Sequence, residues 1–421
     1  MILNKETFFN TLSETASLNE DLYSIVKDIC DNVKKHGDRA LLQYNKQFDH
    51  VDNPQLKISN AEIEAAYARI DEDLKRALQQ SHQRIEAFQQ SIKWEERKGQ
   101  DECYELYHPL ESVGIYVPGG KASYPSTVLM TATLAKVAGV KNIVVVTPPQ
   151  QEGIPDVVLA ACYITGVTSV YQVGGAQSIA ALTYGTATIP QVDKIVGPGN
   201  QFVAYAKKYL FGNVGIDQIA GPSEIALIID DTADLDAVTY DVFAQAEHDE
   251  LARTFVISED ISLLKRLEDK IQATLTQIER QDIVKASLTQ NHYLVVANDF
   301  TEACDIMNTI APEHASIQTQ NPEEYLHHVR SVGALFLGHY SPEVIGDYVA
   351  GPSHVLPTNQ NARFTNGLSV NDFLTRHSVI NLSQKTFNDI QQSAKTIAHT
   401  EQLYNHEQSI TIRTSKEYDN D

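Results

Sequence analysis

Short apolar segments alternate with helix-like segments between about residue 104 and residue 340 of this chain. The segment NIVVVT at 142–147 is typical of a buried strand, and DVVLAACYIT at 156–165 is typical of a packed helix. Strands that alternate with helices of this length predict a parallel sheet with helices on its faces. The sequence therefore predicts an α/β fold.

The length of 421 residues exceeds what one ordinary hydrophobic core holds, so we expect two Rossmann-like, parallel-sheet domains with helical extensions at both ends. The predicted division is an N-terminal helical arm at 1–19, a first α/β domain at 20–115 and 224–368, a second at 116–223, and a C-terminal tail at 369–421. Within the tail, the segment ITIRTS at 410–415 has the pattern of an edge strand.

Composition restricts the kinds of partner and the location. The formal net charge of −22 disfavours nucleic acid and anionic membranes, because both bind basic surfaces. No apolar run approaches the roughly 18 residues of a membrane-spanning helix, and the N-terminal segment lacks the apolar core of a signal peptide. The four cysteines are too widely spaced for a disulfide framework. We therefore expect a cytoplasmic protein.

Three Gly/Pro turns follow predicted strands: YVPGG at 116–120, QVGGAQ at 172–177 and VGPGNQ at 196–201. Ligands of open α/β sheets bind at the carboxyl ends of strands, where turns and helix N-termini present backbone N–H groups. None of the three has the spacing G-x-G-x-x-G, since Phe202 stands where the third glycine of GPGNQF belongs. By themselves, the three segments are better explained as ordinary tight turns of an α/β fold than as a dinucleotide site.

A set of nitrogen and oxygen donors indicates metal binding. Gln245 and His248 are three residues apart in a predicted helix, so they face the same side. Asp347 and His406 add a carboxylate and an imidazole, and this donor set suits Zn²⁺ or a similar first-row divalent ion. The spacing matches no recognised short zinc signature, and a histidine at a helix end is commonly a cap or a surface residue.

Two further features carry groups able to transfer protons. The loop at 346–368 holds too much apolar surface for a disordered segment, so we expect a packed loop that presents Asp347 and His354. The pair Glu313 and His314 follows a predicted helix, and a carboxylate beside an imidazole can divide a proton-transfer task. Without further context, an exposed turn is the simpler interpretation of this pair.

Several separate stretches together resemble the histidinol dehydrogenase family. They are GIYVPGG, VGGAQSIAAL, KIVGPGN, AGPSE, AQAEHD, APEH, the loop DYVAGPSHVLPT-x-x-x-ARF and the tail motif E-x-x-x-x-H, in matching order between residues 20 and 406. The resemblance implies an NAD-dependent zinc oxidoreductase of histidine biosynthesis. Such an enzyme oxidises L-histidinol through an aldehyde to L-histidine and reduces two NAD⁺ at one zinc site.

The resemblance also implies a role for individual residues. It assigns one Zn²⁺ per subunit to Gln245, His248, Asp347 and His406. It makes Glu313 the residue that activates water and His314 the general base. Substrate contacts are implied for Ser223, Gln245, His248, His314, Asp347, His354, Glu401 and His406. Contacts to NAD⁺ are implied for Tyr116, Gln177 and Asn200.

The family implies a domain-swapped homodimer, in which Glu401 and His406 of the tail serve the active site of the partner. One departure from the family pattern is Gln402, which stands where the family has glycine after the tail glutamate. This substitution bears on the local backbone at Glu401, whereas the spacing to His406 is kept.

Two other functions are alternatives to this one. One is a cysteine-dependent enzyme of the aldehyde dehydrogenase type, with Cys103, Cys162 or Cys304 as the nucleophile. None of these cysteines stands in a glycine-rich turn, which disfavours that chemistry. The other is a non-catalytic metal-binding homologue that has kept the fold.

Overall fold

The structure is a computed structural model, and it describes residues 2–12, 20–53, 55–95, 102–119 and 123–414. The chain forms two compact units: the larger comprises Met1–Lys93 and Pro109–Phe373, and the smaller comprises Trp94–His108 and Leu374–Asp421. No helix among the described residues is both long enough and apolar enough to cross a bilayer.

The strands are numbered in chain order over the described residues. They are β1 (Ile2–Asn4), β2 (Lys57–Ile58), β3 (Cys103–Pro109), β4 (Ser112–Tyr116), β5 (Asn142–Thr147), β6 (Ser169–Gln172), β7 (Lys194–Val196), β8 (Gly215–Ile216), β9 (Glu224–Ile229), β10 (Arg253–Ser258), β11 (His292–Val296), β12 (His314–Gln318), β13 (Ala334–Leu337) and β14 (Leu374–Ile380).

The helices are numbered in the same way. They are α1 (Lys5–Leu12), α2 (Glu20–His36), α3 (Asp38–Phe48), α4 (Asn60–Arg69), α5 (Glu72–Ile92), α6 (Pro125–Ala138), α7 (Asp156–Thr165), α8 (Gly175–Tyr184), α9 (Gln201–Leu210), α10 (Leu235–Ala246), α11 (Ile261–Leu275), α12 (Gln281–Asn291), α13 (Phe300–Ile310), α14 (Glu343–Tyr348), α15 (Gln384–Thr400) and α16 (Tyr404–Thr414). Short 3₁₀ turns lie at Pro322–His327, Asn361–Arg363 and Val370–Phe373.

The first sheet of the larger unit has six parallel strands in the spatial order β1, β11, β10, β9, β12, β13. All six residues of β9 are buried, as expected for a parallel strand that is covered on both faces. The chain runs outward from β9 through β10 to β11 and then returns to β12 on the other side. The amino ends of β9 and β12 therefore lie side by side, and they begin with Glu224 and His314.

The second sheet of the larger unit has the order β2, β6, β5, β4, β7, β8. Its strands are parallel except for β2, which pairs antiparallel with β6 at the edge. Strand order reverses between β4 and β7, and such a reversal opens a crevice at the carboxyl ends of the two strands. The prediction of an α/β fold with parallel sheets is confirmed.

Helices α2 to α5 pack on the second sheet, whereas the predicted division placed residues 20–115 with the first. Helix α2 contacts α8 and α9, α4 contacts α7, and α5 contacts α6. Leu22 and Val26 of α2 belong to the same buried cluster as Ile179 of α8. An amphipathic helix shows in its sequence which face is buried, but not which sheet covers that face.

Two local predictions at the chain ends differ from the structure. The predicted helical arm at 1–19 begins with β1, which pairs with β11, and Phe8 of α1 is fully buried; residues 13–19 lie outside the described residues. The predicted edge strand at 410–415 is wrong, because its described residues belong to helix α16. Isoleucine and threonine reduce helix propensity by only a few tenths of a kcal/mol, roughly, so helix formation prevails where no strand is available for pairing.

The smaller unit consists of the two-stranded sheet of β3 and β14 followed by α15 and α16. Ser383 caps α15, since its Oγ accepts a hydrogen bond from the Thr386 N–H at 3.2 Å. Gln402 between the two helices has φ 61°, the left-handed conformation that glycine adopts without steric cost. This backbone gives a physical reason for the glycine that the family resemblance implies at this position.

A buried ion pair holds the turn that follows β7. Lys207 Nζ donates hydrogen bonds to Asp217 Oδ1 at 2.7 Å and to the Gly197 carbonyl oxygen at 2.6 Å. Asp217 Oδ2 accepts from the Gly197 N–H at 2.7 Å, so both polar groups of this glycine are bound by the pair. Gly197 has φ 108°, and a Cβ there would lie 2.2 Å from the Tyr116 carbonyl oxygen. Only glycine fits this position.

We expect Lys207→Met to lower the free energy of unfolding by about 3–5 kcal/mol, because Asp217 would stay buried without its counter-charge. Urea denaturation followed by circular dichroism measures the change. The matched control is Lys208→Met at an exposed position, for which we expect a change within about 0.5 kcal/mol. Equal unfolding midpoints for the two variants would contradict the prediction.

Candidate active site

The peptide of Glu224 at the start of β9 contacts both residues of the Glu313–His314 pair. Its N–H donates to Glu313 Oε2 at 3.1 Å, and its carbonyl oxygen lies 3.1 Å from His314 Nδ1. The parallel register sets His314 opposite Ile225. The pair that the sequence left open as an exposed turn is therefore buried at the amino ends of two neighbouring strands.

The hydrogen bonds of His314 determine which ring nitrogen is basic. Nδ1 lies close to two acceptors, the Glu224 carbonyl oxygen and Gln245 Oε1, the latter at 3.2 Å. Nδ1 therefore carries the proton, and Nε2 is the basic atom of the neutral ring. Burial lowers the pKa of His314 to about 4, so the ring is neutral at pH 7. Nε2 lies 3.8 Å from a carboxylate oxygen of Glu343 and 3.8 Å from one of Asp347.

The Glu313 carboxylate is buried beside this imidazole. Burial raises its pKa well above the usual range, and the hydrogen bond from the Glu224 N–H opposes that rise. Helix α13 ends at Ala311 in the left-handed conformation, and the Ala334 N–H then donates to the Glu313 carbonyl oxygen at 2.9 Å. Strand β13 thus holds the main chain of the pair. A carboxylate with a raised pKa is a stronger base than one in water.

An ion pair between the buried Glu224 side chain and the partly buried Arg253 lies next to the Glu224 peptide. Arg253 Nη2 donates to Glu224 Oε1 and, at 2.6 Å, to Asn359 Oδ1. The Arg253 N–H donates to the Ser223 carbonyl oxygen at 2.9 Å. Burial raises the pKa of Glu224, and the Arg253 guanidinium group opposes only part of this rise. These contacts join β9, β10 and the loop at 346–368.

Three side chains converge next to His314 Nε2. His248 lies two residues beyond the end of α10, and Glu343 and Asp347 lie one turn apart on α14. One ligand atom of each lies within 4.8 Å of the others. Imidazole nitrogen and carboxylate oxygen are donors that Zn²⁺ accepts.

Unpartnered polar atoms in the same region test whether a metal fits. Among the described residues, Gln245 Nε2, His314 Nε2 and both carboxylate oxygens of Glu343 are buried without a hydrogen-bond partner. A buried polar group without a partner is costly, and a buried charge more so. A divalent cation at this place would remove part of that cost, so the residues fit a metal.

The converging set overlaps only in part with the predicted ligands. It contains His248 and Asp347, and it adds Glu343, which the sequence analysis missed. The signal was present as a helical i, i+4 spacing of Glu343 and Asp347, but the segment from 346 onward was interpreted as a loop. Gln245 turns its oxygen toward His314. His406, which is exposed, belongs to the smaller unit.

The other substrate-contact candidates divide between the two units. His354 Nδ1 lies 3.1 Å from the Asp347 carbonyl oxygen, and burial lowers the pKa of its ring. Ser223 directly precedes Glu224 and is partly buried. Glu401 ends α15 in the smaller unit and is exposed.

The loop at 346–368 is packed against helices of the second sheet. Ser353 Oγ donates to the Met130 carbonyl oxygen of α6 at 2.9 Å, and Arg84 Nε of α5 donates to the Val349 carbonyl oxygen at 2.8 Å. The loop therefore joins the two sheets of the larger unit. Its first residues form the end of α14, which the sequence pattern did not indicate.

The three candidate NAD⁺ residues follow strands of the second sheet. Tyr116 ends β4 where the strand order reverses, and its Oη accepts from the Gly175 N–H at 3.3 Å; burial raises its pKa to about 12. Gln177 is buried in α8, and the Asn200 side chain caps α9 through the Val203 N–H at 3.3 Å. The carboxyl ends of β4, β6 and β7 thus offer the amino ends of α8 and α9. Residue 120 of the first turn lies outside the described residues.

The candidate nucleophilic cysteines lack the surroundings of a reactive thiol. Cys162 of α7 and Cys304 of α13 are buried, and burial raises their pKa values to about 12 and about 11. Reactive cysteines have lowered pKa values in partly exposed, electropositive sites. Cys103 is exposed on β3 of the smaller unit.

Comparison with known proteins agrees with the motifs. A family model for histidinol dehydrogenase matches residues 12–414. A histidinol dehydrogenase of Staphylococcus saprophyticus is 73% identical over 421 residues, 100% of both chains, and one of Staphylococcus aureus (strain MRSA252) is 69% identical over 416 residues, 98% of this chain and 100% of that one. The crystal structure of histidinol dehydrogenase from Elizabethkingia anophelis superposes with a TM-score of 0.94 at 34% identity, covering 98% of this chain and 96% of that chain. This chain belongs to the histidinol dehydrogenase family.

Proposed function

We propose that this chain oxidises L-histidinol through L-histidinaldehyde to L-histidine and reduces two NAD⁺, the last steps of histidine biosynthesis. The chain is an NAD-dependent oxidoreductase of the histidinol dehydrogenase family. The observation that carries the reaction is the unprotonated Nε2 of His314, which faces His248, Glu343 and Asp347. A general base beside a set of metal-binding side chains suits a substrate that carries both an alcohol and metal-binding nitrogens.

The proposed metal is one Zn²⁺ per subunit, held by His248 and Asp347, with Gln245 and His406 as the further predicted ligands. Zinc, when bound, would act as a Lewis acid and anchor the amine and an imidazole nitrogen of the substrate. A half-turn of the Gln245 amide would exchange its oxygen with the unpartnered Nε2. Ser223, His354 and the tail Glu401 remain proposed substrate contacts.

In the first oxidation, His314 Nε2 accepts the proton of the substrate hydroxyl as a hydride leaves the carbon that bears this hydroxyl. This hydride would pass to one NAD⁺ molecule and the later hydride to a second, and we propose that Tyr116, Gln177 and Asn200 contact each of them when it is bound. The Glu224 carbonyl oxygen accepts the hydrogen bond from Nδ1 and so keeps the ring oriented while Nε2 gains the proton. The product is the aldehyde.

In the second oxidation, Glu313 accepts a proton from a water molecule whose oxygen attacks the aldehyde carbon. The protonated His314 gives its first proton to the aldehyde oxygen, so the neutral hydrate forms, and His314 then accepts a hydroxyl proton from this hydrate. The second hydride then leaves the carbon, and the carboxylic acid of L-histidine forms. The buried position of Glu313 and His314 limits access of bulk water to the aldehyde.

The exchanged-tail homodimer is part of the proposal. Exposed apolar side chains on the two tail helices support it, because uncovered apolar helix faces favour association. They are Ile390, Ile397, Tyr404 and Ile412. Glu401 and His406 would then reach the active site of the partner, as the family resemblance implies. A cytoplasmic location stays a prediction.

We expect the protein to form two NADH for each L-histidinol consumed, measured by absorbance at saturating NAD⁺. Dialysis against a chelator should abolish this activity, and Zn²⁺ should restore it, because the proposed metal anchors the substrate. A protein that forms no NADH under any metal condition would instead be the non-catalytic homologue.

We expect His314→Asn to lower kcat by about 10²- to 10⁴-fold, the usual contribution of a positioned general base. The zinc content, measured by elemental analysis, should stay unchanged. His327→Asn is the matched control, since His327 is exposed and lies outside the site. Near-normal turnover of His314→Asn would remove this residue from the role of base.

We expect alkylation with iodoacetamide to leave turnover unchanged, because Cys162 and Cys304 are buried. Mass spectrometry should find the label on the exposed Cys103. Loss of activity in step with labelling of any cysteine would favour the thiohemiacetal mechanism over the proposed one.

A further inference from the structure

Helix α3 borders the carboxyl ends of the second sheet, and none of its residues has a role in the reaction described above. Asn45 Nδ2 donates to the carbonyl oxygen of Gln172, the last residue of β6, at 2.9 Å. The helix also contacts α8, and its Tyr44 belongs to the same buried cluster as Tyr116. Helix α3 therefore lies beside the turn from which α8 begins.

Two buried oxygen atoms at this place lack a hydrogen-bond partner among the described residues. They are Asn45 Oδ1 and, one helical turn later, Oδ2 of Asp49, the residue that ends α3. Because Asn45 Nδ2 faces a carbonyl oxygen, the orientation of the amide is fixed, and Oδ1 is the acceptor without a donor. A buried acceptor without a donor is costly, so the two atoms fit a ligand that supplies donors.

The Asp49 carboxylate acts on the same crevice as the candidate NAD⁺ residues. Burial raises the pKa of Tyr116 to about 12, and the negative charge of Asp49 adds to this rise. Tyr116 Oη accepts from the Gly175 N–H at the amino end of α8. Burial also raises the pKa of Asp49 itself, to about 6, as expected for a carboxylate that is partly removed from water.

The chemistry of the two acceptors indicates which part of a dinucleotide they would bind. A ribose carries two neighbouring hydroxyl groups, and each of these can donate one hydrogen bond. In α/β sheets that bind dinucleotides, a carboxylate near the glycine turn commonly binds the 2′-hydroxyl of the adenosine ribose. A 2′-phosphate at that place would put further negative charge next to the carboxylate, and like charges repel.

We propose that Asp49 and Asn45 Oδ1 accept hydrogen bonds from the adenosine ribose hydroxyls of NAD⁺, so that Asp49 selects NAD⁺ against NADP⁺. The inference rests on the NAD⁺ site of the proposed function and deepens it. Neither residue is among those that the family resemblance implies for this site, which are Tyr116, Gln177 and Asn200. The choice of cofactor is thus assigned to helix α3 rather than to the glycine turns.

The test measures the dissociation constants of NAD⁺ and NADP⁺ by isothermal titration calorimetry, for full-length native protein and for Asp49→Asn. Asparagine keeps the size of the side chain and removes the charge. We expect the variant to bind NAD⁺ about tenfold more weakly, because a hydrogen bond to a charged acceptor is lost. We expect it to bind NADP⁺ at least as tightly as native protein does, because the repulsion is lost too.

The matched control is Asp52→Asn, which removes an exposed carboxylate three residues farther along the chain. The ratio of the two dissociation constants should stay unchanged in this control, whereas it should shift by about tenfold or more toward NADP⁺ in Asp49→Asn. In turnover assays of Asp49→Asn, KM for NAD⁺ should rise and KM for L-histidinol should stay unchanged.

Circular dichroism establishes that the variants are folded, and Asp49→Ser replaces the asparagine variant if that one does not fold. An unchanged ratio in Asp49→Asn, or an equal shift in Asp52→Asn, would overturn the inference. Weaker binding of NAD⁺ by a variant that still excludes NADP⁺ would overturn it too, and would place Asp49 at another part of the dinucleotide.

Nicotinamide hypoxanthine dinucleotide separates the ribose from the adenine amino group, since it lacks that amino group and keeps both riboses. Native protein should bind it within threefold of NAD⁺; a tenfold loss that disappears in Asp49→Asn would overturn the inference in favour of the amino group. Native protein that binds NAD⁺ but forms no NADH from L-histidinol would overturn the proposed reaction alone. Native protein that binds neither NAD⁺ nor NADP⁺ would overturn both.

Discussion

The peptide of Glu224 is the constraint on which the arrangement of the site depends. One N–H and one carbonyl oxygen of the same residue contact the Glu313 carboxylate and His314 Nδ1. This contact decides which nitrogen of the imidazole is basic and toward which side chains it points. The contact requires that β9 and β12 be adjacent and in register, although 89 residues separate Glu224 from Glu313 along the chain.

In the two sheets of the larger unit, the functional residues lie at opposite ends of the strands. In the first sheet, Glu224 and His314 stand at the amino ends of strands, whereas in the second sheet Tyr116 and the glycine turns stand at the carboxyl ends. Ion pairs hold main-chain groups at both places: the partly buried Arg253 pairs with Glu224, and the buried Lys207 pairs with Asp217. A buried pair tolerates little displacement, because separation of the charges leaves each of them unsolvated.

Most of the secondary structure and the main site candidates could be predicted from the sequence. Buried strands such as NIVVVT have a strong local signature, and His314 and Asp347 stand out by residue type and motif. Glu343 could not be predicted as part of the site, because α14 has only six residues, too few to show helical periodicity. The placement of α2 to α5 on the second sheet escaped notice because an apolar helix face does not specify its partner.

By itself, the sequence determined the α/β class, the order of its elements and, through separated motifs, the family, since these depend on local patterning and residue identity. Only the tertiary structure decided that Glu343 joins His248 and Asp347, that Nδ1 of His314 carries the proton, and that β1 completes an edge of the first sheet. These features depend on contacts between residues far apart in the chain. Such contacts arise from strand register and helix packing, which no local pattern encodes.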